Sequence, residues 1–127
     1  MLGKGFSGFS VDDVGAARTF YAETLGVPVR GEDMLWLDLP GSTGILVYPK
    51  GDAHEPASFT ILNFPVQDVP GTVAALRERG VAFERYAGTP VETDDDYVFR
   101  GGGPLIAWFR DPAGNVLSVI QDDGAGE

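Results

Sequence analysis

The sequence predicts an α+β fold built from two tandem βαβββ modules within one domain. Three observations carry that prediction. The segment Phe9-Ser10-Val11-Asp12-Asp13-Val14 returns as Phe64-Pro65-Val66-Gln67-Asp68-Val69, identical at four of six positions at an offset of 55. Each copy opens a helical pattern that ends on a Gly-Val pair, Gly26-Val27 and then Gly80-Val81. The 18 glycines and 9 prolines are spread along all 127 residues, which marks many short elements joined by turns. Self-similarity at a fixed spacing is the mark of a duplicated unit. Module 1 then covers about residues 4–50 and module 2 about 57–121. Residues 1–127 form a single domain of common size, with no linker-like stretch between the halves.

The elements follow in order. Lys4 to Val11 alternates large and small residues around Gly8 and predicts a strand. Asp13 is a good helix N-cap, and Val14, Ala17, Tyr21 and Leu25 form one apolar stripe that stops at Gly26, where a C′ glycine belongs. Met34–Leu39 and Gly44–Tyr48 read as strands joined by the turn Pro40-Gly41-Ser42-Thr43. Lys50 to Pro56 is a polar loop with the single histidine, His54. Ser58–Val66 is the next strand, and Asp68 caps a helix that tolerates Pro70 in its first turn. Val69, Val73 and Leu76 are its stripe. Val81–Tyr86 predicts a strand, Gly88–Asp96 an acidic loop, Tyr97–Arg100 a short strand and Pro104–Arg110 a strong one. Asp111-Pro112-Ala113-Gly114-Asn115 has proline and glycine where turn geometry favours them. Val116–Ile120 closes the fold, and residues 122–127 read as a frayed tail.

Composition removes several classes of function. Nine basic residues against nineteen acidic give a formal charge of −10, which repels phosphate backbones. The densest basic cluster, Arg77, Arg79 and Arg85, is interleaved by Glu78 and Glu84, so no nucleic-acid partner is expected. Without cysteine there is no disulfide, thiolate metal site or cysteine nucleophile. The start of the chain has no signal-peptide pattern, and no apolar run approaches the ~20 residues that cross a bilayer. A soluble cytoplasmic protein without a membrane partner is the expectation.

Candidate chemistry is sparse. His54, between Asp52 and Glu55, is suited to general-base work, while the bland reading of a loop histidine between two acids is a solvated side chain. Asp94-Asp95-Asp96 with Glu92 lacks the spacing of a calcium loop. Arg100-Gly101-Gly102-Gly103 lacks the Lys-Ser or Lys-Thr of a phosphate loop and precedes a strand. Ser7, Ser10 and Ser118 have no histidine placed near them by sequence, so a serine nucleophile has no support.

The duplicated pattern resembles the vicinal oxygen chelate superfamily of glyoxalases, bleomycin-resistance proteins and extradiol dioxygenases. The carrying residues are Val11-Asp12-Asp13 with Phe20-Tyr21 and Leu25-Gly26, then Phe64 to Asp68, Arg79-Gly80-Val81 and Phe109 to Asn115, over about residues 4–121. The resemblance implies a cupped mixed sheet with helices outside, and a homodimer. Metal-using members hold one divalent ion on four strands. Their ligand positions fall here on Phe6, Ile61, Ser118 and Ile45, or Val47 in the alternative register. Phenylalanine, isoleucine and valine offer no lone pair, and a serine hydroxyl is a poor ligand. The expectation is therefore no metal and no cofactor.

If Phe6 and Ile61 face the cup, strand alternation adds Gly8, Ser10, Phe59 and Asn63, and it adds Val116 and Ile120 to Ser118. Trp36, Trp108 and Arg100 complete the expected ligand-binding set. The expected function is metal-free binding of an apolar or aromatic compound, neutral or cationic. The alternatives are a metal-free isomerase, cyclase or lyase that uses His54, and less favourably a metal-dependent glyoxalase or dioxygenase.

Overall fold

In a computed structural model of the chain, residues 1–122 are described. The expected frayed tail at 122–127 thus lies, except for Asp122, outside the described residues. The chain forms two compact units, Met1–Ala57 with Asp111–Asn115, and Ser58–Arg110 with Val116–Glu127. The class is α+β, with two small mixed sheets and few helices. Among the described residues no helix is long and apolar enough to cross a membrane.

In the first unit, β1 (Ser7–Val11), β2 (Val29–Arg30), β3 (Leu35–Leu37) and β4 (Ile45–Pro49) form a sheet in the order β1-β4-β3-β2. β1 runs parallel to β4 and the other pairs are antiparallel. A parallel pair needs a crossover, and the helix supplies it. Asp13 accepts from the Gly15 and Ala16 amides at 2.9 and 3.2 Å, as an N-cap does, and starts α1 (Val14–Arg18). The sequence predicts one continuous α-helix to Leu25. Instead the last stretch, Thr19–Thr24, widens into a π-helix, closed by the Leu25 amide on the Phe20 carbonyl at 2.9 Å. The extra residue per turn rotates the end of the stripe. Ala17 and Tyr21 are buried as expected, Leu25 is only half-buried, and Val27 fills the core instead.

Burial alternates cleanly along this sheet. Phe9 pairs with Val47, and Val47 with Leu35, all three buried, and the Phe9 and Tyr21 ring centroids are 5.9 Å apart. This is the face covered by the helix. Gly8, Leu46 and Trp36 are paired on the opposite face, followed by Ser10 and Tyr48.

In the second unit, β5 (Thr60–Val66), β7 (Val116–Gln121) and β6 (Ile106–Arg110) form a sheet in the order β5-β7-β6, with β5 parallel to β7. α2 (Val69–Glu78) is capped by Asp68, which accepts from the Gly71 amide at 3.1 Å, and it buries Val69, Val73 and Leu76 as the stripe predicts. Two expected strands are reduced to isolated bridges. Val81–Tyr86 pairs only at Phe83–Phe109, and Tyr97–Arg100 only at Phe99–Ile106. Tyr86 and Tyr97 take positive φ values of 50° and 67°, which no extended run accommodates. The β5–β7 register also shifts between Thr60 and Leu62, so Ile61 is the extra residue of a bulge.

Candidate functional site

On the first unit's sheet, the face away from the helix is aromatic and half-open. Gly8 lies opposite Leu46 at close quarters: a Cβ there would stand 3.0 Å from the Leu46 carbonyl oxygen and 3.3 Å from its Cβ, so a larger residue needs its neighbour to give. Tyr48 flanks the same position, its Cε1 3.7 Å from that Cβ point. Phe6, 58% exposed, meets Trp36 edge-on with centroids 5.0 Å apart. The Arg30 guanidinium sits 5.3 Å from the Trp36 ring centre while its Nε is 3.0 Å from Asp38. Gly44, at φ +105°, brings the backbone against the indole, where a Cβ would be 3.0 Å from Trp36 Cε3. An open hollow of about 500 Å³ runs along Phe6, Ser42, Thr43, Gly44 and Ile45.

Ile45 and Val47 do not belong to this face. β4 pairs Ile45 with Ser7 and Val47 with Phe9, and Val47 is fully buried on the helix side. A one-residue slip in an unanchored register exchanges the two faces of a strand, and Leu46 and Tyr48 take the places expected of Ile45 and Val47.

His54 and Ser10 come together, a pairing that nothing in the sequence places. Ser10 Oγ is 2.7 Å from His54 Nδ1, and His54 Nε2 is 2.9 Å from the Ala113 carbonyl oxygen. A carbonyl only accepts, so Nε2 carries a proton, and in the neutral form of the ring Nδ1 holds the lone pair to which Ser10 donates. The Asp111–Asn115 turn that supplies the carbonyl is held by a buried network. Asp111 Oδ1 accepts from the Ala113 and Asn115 amides at 3.0 and 2.9 Å, and Oδ2 accepts from the Tyr21 hydroxyl at 2.8 Å. Asn115 Nδ2 donates to the Ser10 carbonyl at 2.9 Å, and its Oδ1 accepts from the Ala57 amide at 3.2 Å. Burial and the adjoining Asp111 carboxylate push the Tyr21 hydroxyl well above the ordinary tyrosine range. The turn reads from sequence as a plain hairpin; Tyr21 and Asp111 are 90 positions apart and nothing local marks their partnership.

The second unit carries its own polar and aromatic row. Asn63 pairs with Ser118, and Ser118 with Trp108. Ser118, fully buried, donates to Asn63 Oδ1 at 2.5 Å. Tyr86 and Phe99, both outside the expected set, flank Trp108 at centroid distances of 5.4 and 5.9 Å. Val116 and Ile120 share the parity of Ser118, opposite Arg110 and Ile106. Ile61 and Phe59 do not follow simple alternation from Asn63. The bulge places Thr60, not Ile61, opposite Val116, and Phe59 precedes the strand at 68% exposure. Arg100 is engaged by Asp94, Nε to Oδ2 at 2.6 Å, a bond that holds the Asp94 carboxyl below its usual range.

These residues do not fit a divalent ion. The rows carrying Phe6, Gly8, Leu46 and Tyr48, and then Asn63, Ser118 and Trp108, contain no imidazole or carboxylate. The one buried hydroxyl among them already serves Asn63. His54 Nε2 is committed to a carbonyl. Among the described residues no three His, Cys, Asp or Glu side chains are placed so that they could hold a metal ion.

Comparisons with known proteins place the chain. The Glyoxalase/Bleomycin resistance protein/Dioxygenase superfamily matches over residues 7–119. None of the curated proteins matches it. Among solved structures, TnmS3, an antibiotic binding protein from Streptomyces sp. CB03234, is 26% identical, with 97% of this chain and 99% of that chain covered and a TM-score of 0.66. A glyoxalase/bleomycin resistance protein from the same organism is 26% identical over 91% and 97%, with a TM-score of 0.63. A superfamily member from Sphaerobacter thermophilus DSM 20745 shares the fold at 22% identity, over 96% and 98%, with a TM-score of 0.66.

Proposed function

Because the chain belongs to the glyoxalase/bleomycin resistance protein/dioxygenase superfamily, we propose that it binds an aromatic or otherwise flat apolar compound, neutral or cationic, without a metal. One observation carries the reading: the sheet face of Phe6, Gly8, Trp36 and Tyr48 presents open aromatic surface, and the nearby cation, Arg30, is already paired with Asp38. Largely apolar lining with few orienting groups is what small-molecule sites offer. Arg100, the cation of the expected ligand-binding set, is likewise paired, with Asp94. The antibiotic-binding relative at 26% identity supports a small-molecule ligand. The second unit's row of Asn63, Ser118 and Trp108 is proposed as a further ligand-facing patch, with both units belonging to one domain.

Calorimetry against neutral, cationic and polyanionic aromatic compounds tests the assignment. Micromolar or tighter binding of a neutral or cationic compound, weakened at least tenfold by Trp36→Ala, is expected. Tight binding of a polyanion, lost on Arg100→Ala, overturns it. Elemental analysis after gel filtration is expected to show far less than one equivalent of zinc, nickel, iron or manganese. We also propose a homodimer, since β1 and β2 are the outer strands of their sheet and open strand edges are an association liability. Light scattering that gives only 13.5 kDa at micromolar concentration would count against it. The His54 Nδ1 lone pair, presented to Ser10, favours a second reading in which His54 carries a proton in a metal-free isomerase or lyase reaction.

A further inference from the structure

We propose that Ser10 and His54 form a nucleophile–base pair able to take an acyl group from an uncharged aromatic carboxylic ester. The 2.7 Å contact between Ser10 Oγ and His54 Nδ1 is the distance a general base needs to receive a hydroxyl proton. The Ala113 carbonyl, 2.9 Å from Nε2, fixes the tautomer that leaves Nδ1 free to accept, and it stabilises the imidazolium that forms. That carbonyl is no loose group: Ala113 is buried, and its turn is locked through Asp111 to Tyr21. The Ser10 backbone is held from the other side by Asn115 Nδ2. Base, orienting acceptor and nucleophile are therefore each fixed by a separate contact. Ser10 and His54 are themselves only half-buried, and Ser10 lies on the open face, paired with Tyr48.

The reaction balances without an oxidant or a metal. The Ser10 hydroxyl proton passes to His54 Nδ1 as Oγ bonds to the ester carbon. The bond to the leaving alcohol breaks, and the departing alkoxide takes the proton from Nδ1. Water then attacks the acyl-Ser10 ester, gives its proton to Nδ1, and Oγ recovers it as the carboxylic acid leaves. The preference for an aromatic acyl group rests on the proposed binding face, which carries Phe6 against Trp36 and Tyr48 beside Gly8.

The test uses p-nitrophenyl benzoate with the full chain and Ser7→Ala, Ser10→Ala and His54→Gln variants. Release of p-nitrophenol is followed, together with intact mass and peptide mapping. Acid-quenched during turnover, the wild type and Ser7→Ala are expected to release p-nitrophenol and to carry up to one equivalent of benzoyl adduct on Ser10. Ser10→Ala should give none there, and His54→Gln should acylate at least about 100-fold more slowly. An adduct mapped to a lysine or to another serine, or neither an adduct on Ser10 nor p-nitrophenol release that depends on Ser10, overturns the proposal. Mapping of the wild-type adduct decides the matter even if a variant folds poorly. Tryptophan quenching by benzanilide, an unreactive aromatic amide, separates the two readings: binding without acylation sinks the nucleophile alone, whereas acylation of Ser10 without amide binding sinks the aromatic face alone.

Discussion

At Tyr21 a hydroxyl with no solvent exposure donates to Asp111, itself 4% exposed and already serving two backbone amides and the Asn115 side chain. Tyr21→Phe removes the phenol and leaves a buried carboxylate short of one donor, a loss of about 1–3 kcal/mol. Thermal melts should show the midpoint falling by several degrees at neutral pH. The pH dependence has a defined sign. Because burial and Asp111 raise the Tyr21 pKa in the folded state, the contribution is fully present below the unfolded tyrosine value near 10 and is lost as pH rises above it. The wild type should therefore lose stability between about pH 9 and 11, and the gap to Tyr21→Phe should narrow over that range. A gap that stays constant in urea melts at both pH values would refute the assignment. At this scale the sequence is a poor guide. Residue types at Ser10, His54 and Asp111 are plain to read, but their partners lie 44 to 90 positions away, and only a tertiary fold supplies the distances.

The elements divide by whether anything local anchors them. Both helix starts are legible because Asp13 and Asp68 satisfy amides within three residues of themselves. Strand faces are legible only where a register is pinned. β1 has its Phe9 and Val11 burial to set its parity, but β4 depends on the pairing with β1, which is why Leu46 and Tyr48, rather than Ile45 and Val47, turn to the open face. The bulge at Ile61 has no turn residue to announce it. Gly44 is a sharper case, since its positive φ and its approach to Trp36 both require the missing side chain. Gly44→Ala should cost about 1–3 kcal/mol through the backbone alone. It should also push the indole away, so that tryptophan emission shifts and affinity for an aromatic ligand drops. Unchanged emission with unchanged affinity would mean that Trp36 does not depend on Gly44.

For the whole molecule, the formal charge of −10 is spread over a chain whose ion pairs lie mostly at exposed positions. Such pairs contribute little, about 0–1 kcal/mol each, while like-charge repulsion acts on the compact state as a whole. Raising sodium chloride from about 10 mM to about 0.5 M shortens the screening length well below the size of the domain. The melting midpoint should rise by a few degrees over that range. A fall would mean that the ion pairs outweigh the repulsion. The α+β class was legible at this scale because the repeat of Phe9–Val14 at Phe64–Val69 needs no contact information. The split of the chain into contact units was not, since the short turn Asp111–Asn115 clusters with residues read more than fifty positions earlier.

That turn also sets a schedule for synthesis. A ribosome delivers Met1–Ala57 first, yet the Asp111–Asn115 segment that caps Tyr21 and orients His54 emerges about 60 residues later, some 3–12 s at ordinary elongation rates. Throughout that interval the Tyr21 hydroxyl lacks its Asp111 acceptor and the His54 ring lacks its Ala113 anchor. A stop codon anywhere before Asp111 would leave the first unit without either contact for good.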